Sequence, residues 1–173
     1  GDFERAADII RGALLPLDPT QERDPNIEED GLTGWAHLPV SFYVGRHGLG
    51  HFELSLELLK DLGGGEFAIR FFLKEDPNRT LSIIEDWTGD PDPHVRGLVS
   101  EGTRPRLPWA IRLPAFVQDP TPLLPLLEAM RDDEHETLRR SVANNLNDIS
   151  KDHPDLVASI AARWLDGADE NRQ

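Results

Sequence analysis

One pattern of apolar and charged residues occurs twice in this chain at a constant offset of 43 residues, and it limits the possible folds more than any other feature. Within each copy the apolar residues follow the spacing of an amphipathic helix, and an aspartate and an arginine keep the same places. Each copy therefore predicts two helices joined by a short turn. The corresponding residues are Leu81, Ile84, Trp87, Asp90, Val95 and Arg96 in the first copy, and Leu124, Leu127, Met130, Asp133, Leu138 and Arg139 in the second.

A period of about 40 residues with two helices in each unit is typical of HEAT-like repeats. Such units stack into a curved α-solenoid, in which the second helix of each unit lines the concave side. We therefore predict an all-α chain of HEAT-like helical repeats. At the same offset Glu101 corresponds to Asn144, so we expect these two side chains to face one groove.

The segment 133–151 has the clearest helical periodicity, with apolar residues on one side and polar ones on the other. A solvated face is the default interpretation of such a polar stripe, although this one is rich in hydrogen-bonding groups. Its members are Arg140, Asn144, Asn147 and Asp148. Further helices are predicted at residues 3–15, 52–62, 66–73 and 154–165, whereas residues 17–51 are predicted to be mostly loop.

The chain is predicted to form one domain over residues 1–173. It divides into an N-terminal helix with an irregular acidic segment (1–51), helical repeats (52–165) and a tail or truncated next repeat (166–173). A solenoid that ends on half a unit exposes an apolar face. We therefore expect C-terminal repeats to be missing from this sequence.

Composition excludes several classes of protein. The 173 residues include no cysteine, which excludes a disulfide scaffold, a thiolate zinc site and a cysteine nucleophile. No apolar run approaches the roughly 18 residues needed to cross a membrane, so we expect a cytoplasmic monomer without membrane contact. The net charge of −14 favours a positively charged partner over nucleic acid, but residues 94–112 carry four arginines against one glutamate.

Familiar metal and phosphate motifs are absent from the sequence. His47 and His51 are four residues apart, but glycines lie between them and no glutamate is adjacent, so they do not form a metalloprotease pair. The glycines at 63–65 are not followed by the lysine and hydroxyl residue of a phosphate loop and are predicted to end a helix. We predict neither a metal nor another cofactor.

Two long motifs carry a family resemblance. They are SEGTRPRLPW at 100–109 and SVANNLNDISKDHP at 141–154, with EFAIR at 66–70 and HVR at 94–96 in support. From about residue 35 to residue 165 the chain resembles the AlkC-type DNA alkylation repair proteins, a branch of the HEAT-like-repeat DNA glycosylases. The resemblance implies a monofunctional enzyme that acts on double-stranded DNA containing alkylated bases, notably N3-methyladenine. The reaction that the resemblance implies is hydrolysis of the N-glycosidic bond without a metal or a lyase step.

The same resemblance implies that Glu66, Glu101 and Asp148 are catalytic and that Trp109 binds the substrate. Their chemistry suits the reaction, because a base alkylated at N3 is cationic and leaves as a neutral group while positive charge develops on the deoxyribose. Carboxylates can stabilise that charge and activate water. A tryptophan can offer its π face to the cation.

Six cationic side chains are predicted to contact DNA phosphates around the lesion. They are Arg96, Arg104, Arg106, Arg139, Arg140 and Lys151. Each of these roles has a structural alternative. Glu101 and Asp148 would then be ordinary solvated helix acids, and Trp109 a core aromatic. Arg96 and Arg139 would form hydrogen bonds between neighbouring repeats.

A second functional class also fits the chain. A non-catalytic HEAT-like interaction module, or a relative that has lost activity, would bind a basic protein partner on its acidic surface. A positive strip around Glu101 and Asp148 would favour DNA, whereas a uniformly negative groove would favour the basic partner.

Overall fold

The computed structural model describes residues 1–14 and 36–166, and within these ranges the chain folds into ten α-helices. The prediction of an all-α fold is confirmed. The helices are α1 (Asp2–Ala13), α2 (His37–His47), α3 (Phe52–Leu62), α4 (Ile69–Glu75), α5 (Pro77–Glu85), α6 (Pro93–Gly102), α7 (Pro114–Gln118), α8 (Leu124–Met130), α9 (Glu136–Ser150) and α10 (Pro154–Leu165). Short 3₁₀ turns occupy Leu49–His51, Asp86–Gly89 and Thr121–Leu123.

The predicted repeat corresponds to two helix pairs, α5 with α6 and α8 with α9. Equivalent apolar residues are buried alike: Ile84 and Leu127 are fully buried, and Val95 and Leu138 almost so. The second helices of the two units, α6 and α9, pack against each other. This contact brings the two motif-bearing segments together.

The two repeat arginines make the same local hydrogen bonds. One nitrogen of Arg96 donates to the carbonyls of the residues six and five positions before it, at 2.7 and 3.3 Å. Arg139 does the same at 2.7 and 3.0 Å. Arg96 in addition forms a bidentate ion pair with Asp133 of the next unit, at 2.7 and 3.0 Å. The residues that repeat at the 43-residue offset therefore include an arginine and an aspartate that connect the two units, in addition to the buried apolar residues.

Two predicted elements differ from the structure. Residues 37–47 form α2, although we predicted loop there; Pro39 lies in the first helical turn, where a proline removes no intrahelical hydrogen bond. Helix α4 begins at Ile69 instead of residue 66, so Glu66 lies in the turn before it. Gly63 ends α3 with a φ of 57°, a left-handed conformation that glycine adopts without a steric penalty.

The core runs continuously through the described helices. Its fully buried apolar side chains include Leu56, Leu59, Phe72, Ile84, Leu127 and Ile149. None of the helices in residues 1–14 and 36–166 is both long and apolar enough to span a membrane.

Candidate functional site

A cavity of about 400 Å³ lies between the turn that follows α3 and the neighbouring helices α6 and α9. Glu101 and Asn144 both line it, as the repeat offset predicted. Glu66 borders the same space from the turn. The remaining lining residues are Gly63, Gly64, Pro93, His94, Gly97, Leu98, Thr137, Leu138, Arg140 and Ser141.

The carboxylate of Glu101 is held at both oxygens. It lies near the C-terminal end of α6, where its Oε1 accepts a hydrogen bond of 2.6 Å from the hydroxyl of Ser141. Its Oε2 accepts one of 2.9 Å from Arg104. Two fixed donors restrict the carboxylate to one orientation at the wall of the cavity.

Asp148 of α9 is a buried anion with two cationic partners. Its side chain is 2% exposed; Lys151 donates to Oδ1 at 2.8 Å, and Arg104 donates to Oδ2 at 2.9 Å. Burial acts to raise the pKa of Asp148, but the hydrogen bonds and charges of Lys151 and Arg104 outweigh it and hold the pKa below its ordinary value. The carboxylate is therefore ionised at neutral pH.

Arg104 connects the two acids. Its Nε donates to Asp148 and its Nη1 to Glu101, and only 13% of the side chain is exposed. Burial acts to lower the pKa of Arg104, but the two carboxylates raise it overall. Because Glu101 belongs to α6 and Asp148 to α9, this guanidinium joins the two repeats beside the cavity, whose lining includes Glu101 but neither Arg104 nor Asp148.

Glu66 differs electrostatically from the other two acids. It is half-buried, and its pKa is raised chiefly by burial and further by the negative charge of Glu101, against the effect of a backbone hydrogen bond. The environment of Glu66 therefore favours proton uptake, whereas that of Asp148 opposes it.

Trp109 lies on the loop between α6 and α7 and is 98% exposed. The alternative interpretation of this residue as a core aromatic is therefore wrong. Its φ of 61° is a conformation that costs an ordinary L-residue roughly 1–2 kcal/mol. The chain holds a large aromatic ring in solvent, at the tip of a loop whose start carries Arg104.

All six cations predicted to contact phosphates have acceptors within the protein. Arg96 and Arg104 are largely enclosed in the ion pairs already described, Arg106 pairs with Asp152, and Arg139 bonds two carbonyls. Arg140 and Lys151 are the more open side chains, 69% and 52% exposed. Contact between these six side chains and DNA remains a prediction.

Sequence reasoning assigned no role to Arg70, which lies beneath the site. It is fully buried in α4 and donates to the carbonyls of Gly102, Arg104 and Ile111 at 2.9, 2.6 and 2.7 Å. Burial, with repulsion from Arg104, lowers its pKa to about 10, so it stays charged at neutral pH. A single arginine inside an otherwise apolar helical segment was the signal that could have identified it.

Asn145 of α9 donates hydrogen bonds to the C-terminal end of α6. Its Nδ2 donates to the carbonyl of Ser100 at 2.9 Å and to the hydroxyl of Thr103 at 3.1 Å. Within residues 1–14 and 36–166 no group of three or more histidine or acidic side chains could hold a metal ion. The groups that the predicted site residues offer are carboxylates, cations and one indole.

Comparison with known proteins identifies relatives of this chain, while no family model matches it. Over 145 residues it is 46% identical to the uncharacterized protein YhaZ of Bacillus subtilis (strain 168), a match covering 82% of this chain and 40% of YhaZ. A solved structure of the Pseudomonas fluorescens alkylpurine DNA glycosylase AlkC, bound to DNA containing an abasic site analogue, has a TM-score of 0.74 and 42% identity. That match covers 76% of this chain and 38% of the other, so the chain spans about two fifths of the length of each relative.

Proposed function

The chain belongs to the AlkC-like family of helical-repeat proteins, and from this premise we propose that it acts as a DNA glycosylase on cationic alkylated bases such as N3-methyladenine. The observation that carries the proposal is a pair of acids on facing repeats, Glu101 and Asp148, joined by Arg104 beside a cavity. An exposed tryptophan lies on the same loop as Arg104.

Catalysis of this reaction depends more on negative charge near the sugar than on protonation of the leaving base. Cleavage of the bond between C1′ and an N3-alkylated base transfers the bonding electrons to the base, which leaves neutral, while positive charge develops on the sugar. Glu101, oriented by Ser141 and Arg104, places a fixed carboxylate where it stabilises that charge without reorganisation. Asp148 adds a second negative charge and balances Arg104.

The attacking water must lose a proton as its oxygen bonds to C1′, and Glu66 is the acid best suited to accept it. A general base is most efficient when its pKa lies close to the working pH, and burial moves the pKa of Glu66 in that direction. Both oxygens of Asp148 are already bonded to cations, which makes it a poor base.

Trp109 is proposed to contact the substrate directly. Its ring has almost no packing role in the free protein, and the π face of an indole attracts a cation with about 0.5–2 kcal/mol. Arg140 and Lys151, the most exposed of the six predicted cations, are the first candidates for phosphate contact; Arg106 and Arg139 would have to share their present acceptors.

A second candidate function is a non-catalytic module that binds a basic partner. The pairing of all six cations with internal acceptors, in a chain of net charge −14, favours it. The two candidates differ in one respect that can be measured, namely whether a base is released.

The test is release of free bases from methylated duplex DNA by the 173-residue chain. We expect N3-methyladenine to appear faster than in DNA incubated without protein, because the fixed carboxylates lower the energy of the charged sugar. The products are separated by chromatography and counted at fixed times. Binding of the DNA with release no faster than the spontaneous rate would reject the glycosylase and support the binding module.

The rate of base release is expected to depend on pH through Glu66. Its pKa is raised in the folded chain, so it is protonated at pH values where an ordinary glutamate is ionised. If it serves as the base, the single-turnover rate rises with pH through this elevated pKa and then levels off, whereas Asp148, with its lowered pKa, stays ionised throughout. Glu66→Gln should be slower and lose this pH dependence. A rate profile that keeps the same acid limb in Glu66→Gln would assign the base to another group.

A further inference from the structure

Arg70 holds both ends of the loop that carries the site. Gly102 and Arg104, whose carbonyls it binds, lie where α6 ends, and Ile111 lies beyond Trp109 on the same loop. The three accepting carbonyls are 2.6 to 2.9 Å from the guanidinium nitrogens. One buried side chain therefore connects α4 to the beginning and the end of the loop.

The end of α6 requires such a donor. The last carbonyls of a helix have no intrahelical partner and carry partial negative charge, so a buried cation there is favourable. Asn145 from α9 satisfies the carbonyl of Ser100 in the same way. Gly102 lets α4 approach closely, since an added Cβ would lie 2.5 Å from a side-chain carbon of Ile69.

We propose that Arg70 is a positioning residue for the reaction: by holding the loop at Gly102, Arg104 and Ile111, it places the Arg104 guanidinium between Glu101 and Asp148 and presents Trp109 outward. The proposal rests on the proposed function. Arg70 lies beneath the site without reaching the cavity surface, so it acts through the backbone of the loop.

Arg70 contributes hydrogen bonds that an apolar side chain of similar volume could not make. An apolar side chain would remove the donor from three carbonyls, of which that of Gly102 is buried and those of Arg104 and Ile111 are partly buried; an unpaired buried carbonyl costs about 1–3 kcal/mol. A lysine keeps the charge but lacks the planar fork of donors that reaches carbonyls on both sides of the loop. Arg70→Lys therefore keeps the positive charge but loses hydrogen bonds to the loop carbonyls.

The test compares Arg70→Lys with Phe72→Leu in the full chain. Phe72 is fully buried in the same helix and packs against the ring of Phe52, so its substitution destabilises α4 without touching the loop carbonyls. We expect Arg70→Lys to lower the single-turnover rate of base release about 100-fold, the loss that follows a misplacement of about 1 Å, with DNA affinity unchanged. Phe72→Leu should lose comparable unfolding free energy and keep its rate.

Hydrogen exchange measures the position of the loop without catalysis. The amide of Leu113 donates to the carbonyl of Pro105 across the loop at 3.3 Å. In the unmodified chain this amide should exchange almost as slowly as the core, and in Arg70→Lys it should exchange faster while in Phe72→Leu it stays protected relative to global unfolding.

Each outcome decides the proposal. Equal rates or equal Leu113 exchange in the two variants, or exchange in the unmodified chain as fast as in an exposed loop, would overturn it. If the unmodified chain releases no base, the glycosylase proposal fails and with it the role of Arg70 in the reaction, and the Leu113 exchange then decides only whether Arg70 holds the loop. If Arg70→Lys does not fold, the exchange of the unmodified chain decides it.

Discussion

Replacing Asp148 by asparagine is expected to slow base release about 100- to 1000-fold, a loss typical of removing one preorganised electrostatic contact from an active site. Both oxygens of Asp148 accept charge-assisted hydrogen bonds, from Lys151 and Arg104. An asparagine has one accepting oxygen and an NH₂ group, so one of these cations would face another donor. Lys151 and Arg104 would both lose the negative charge of Asp148, although Arg104 keeps Glu101, and their positive charge would oppose the charge that develops on the sugar.

The rate is measured by single-turnover release of N3-methyladenine, at a temperature where circular dichroism shows that the variant is folded. This control is needed because breaking a buried ion pair costs about 3–5 kcal/mol of unfolding free energy. Asp155→Asn, an equal charge change at an exposed residue of α10, serves as the matched variant and should keep its rate. Equal rates in the two variants would remove Asp148 from the mechanism.

Arg104→Gln is expected to lower the unfolding free energy by about 3–5 kcal/mol, because it leaves the buried carboxylate of Asp148 with one cation instead of two and frees Glu101. This large loss follows from the bridging role that the contacts of Arg104 support. An arginine whose role was to contact phosphate would cost little stability when replaced. Chemical denaturation of the variant and the unmodified chain measures the difference.

The salt dependence of DNA binding separates the two roles of Arg104 independently. A side chain that neutralises one phosphate contributes about 0.9 to the slope of log affinity against log salt concentration. We expect Arg104→Gln to leave this slope unchanged and Arg140→Gln, which removes a mostly exposed cation, to reduce it by about that amount. A stable Arg104→Gln chain with a reduced slope would instead make Arg104 a phosphate ligand.

The helical repeat could be predicted from the sequence because burial repeats with it. Ile84 and Leu127 take equivalent places in successive units, and so do the aspartates that accept from the arginines. Helix α2 could not be predicted, because its glycine and proline residues suggested a loop. Its packing against α3 and α4 outweighs those weak local preferences.

The placement of Glu101 and Asp148 on neighbouring helices could be predicted from the sequence, but their contacts could not. Glu101 and Asp148 lie on the expected helices, but the pairing of Arg104 with an acid 44 residues away depends on how α6 meets α9. Trp109 is exposed and has a positive φ, a conformation that is uncommon for a residue other than glycine and that no local preference indicates. Arg70 was overlooked because its partners are backbone carbonyls, which leave no pattern of residue types.

The central claim is that a fixed carboxylate at Glu101 stabilises positive charge on the sugar while the bond to the base breaks. The most direct measurement is single-turnover release of N3-methyladenine by the unmodified chain and by Glu101→Gln, with both saturated by the same lesion-containing duplex. Glutamine keeps the shape but removes the charge; with its oxygen towards Arg104, its NH₂ group can donate to the hydroxyl of Ser141. We expect the two proteins to bind a duplex containing an abasic-site analogue with similar affinity, and Glu101→Gln to release the base about 100-fold more slowly. Equal release rates would contradict the claim.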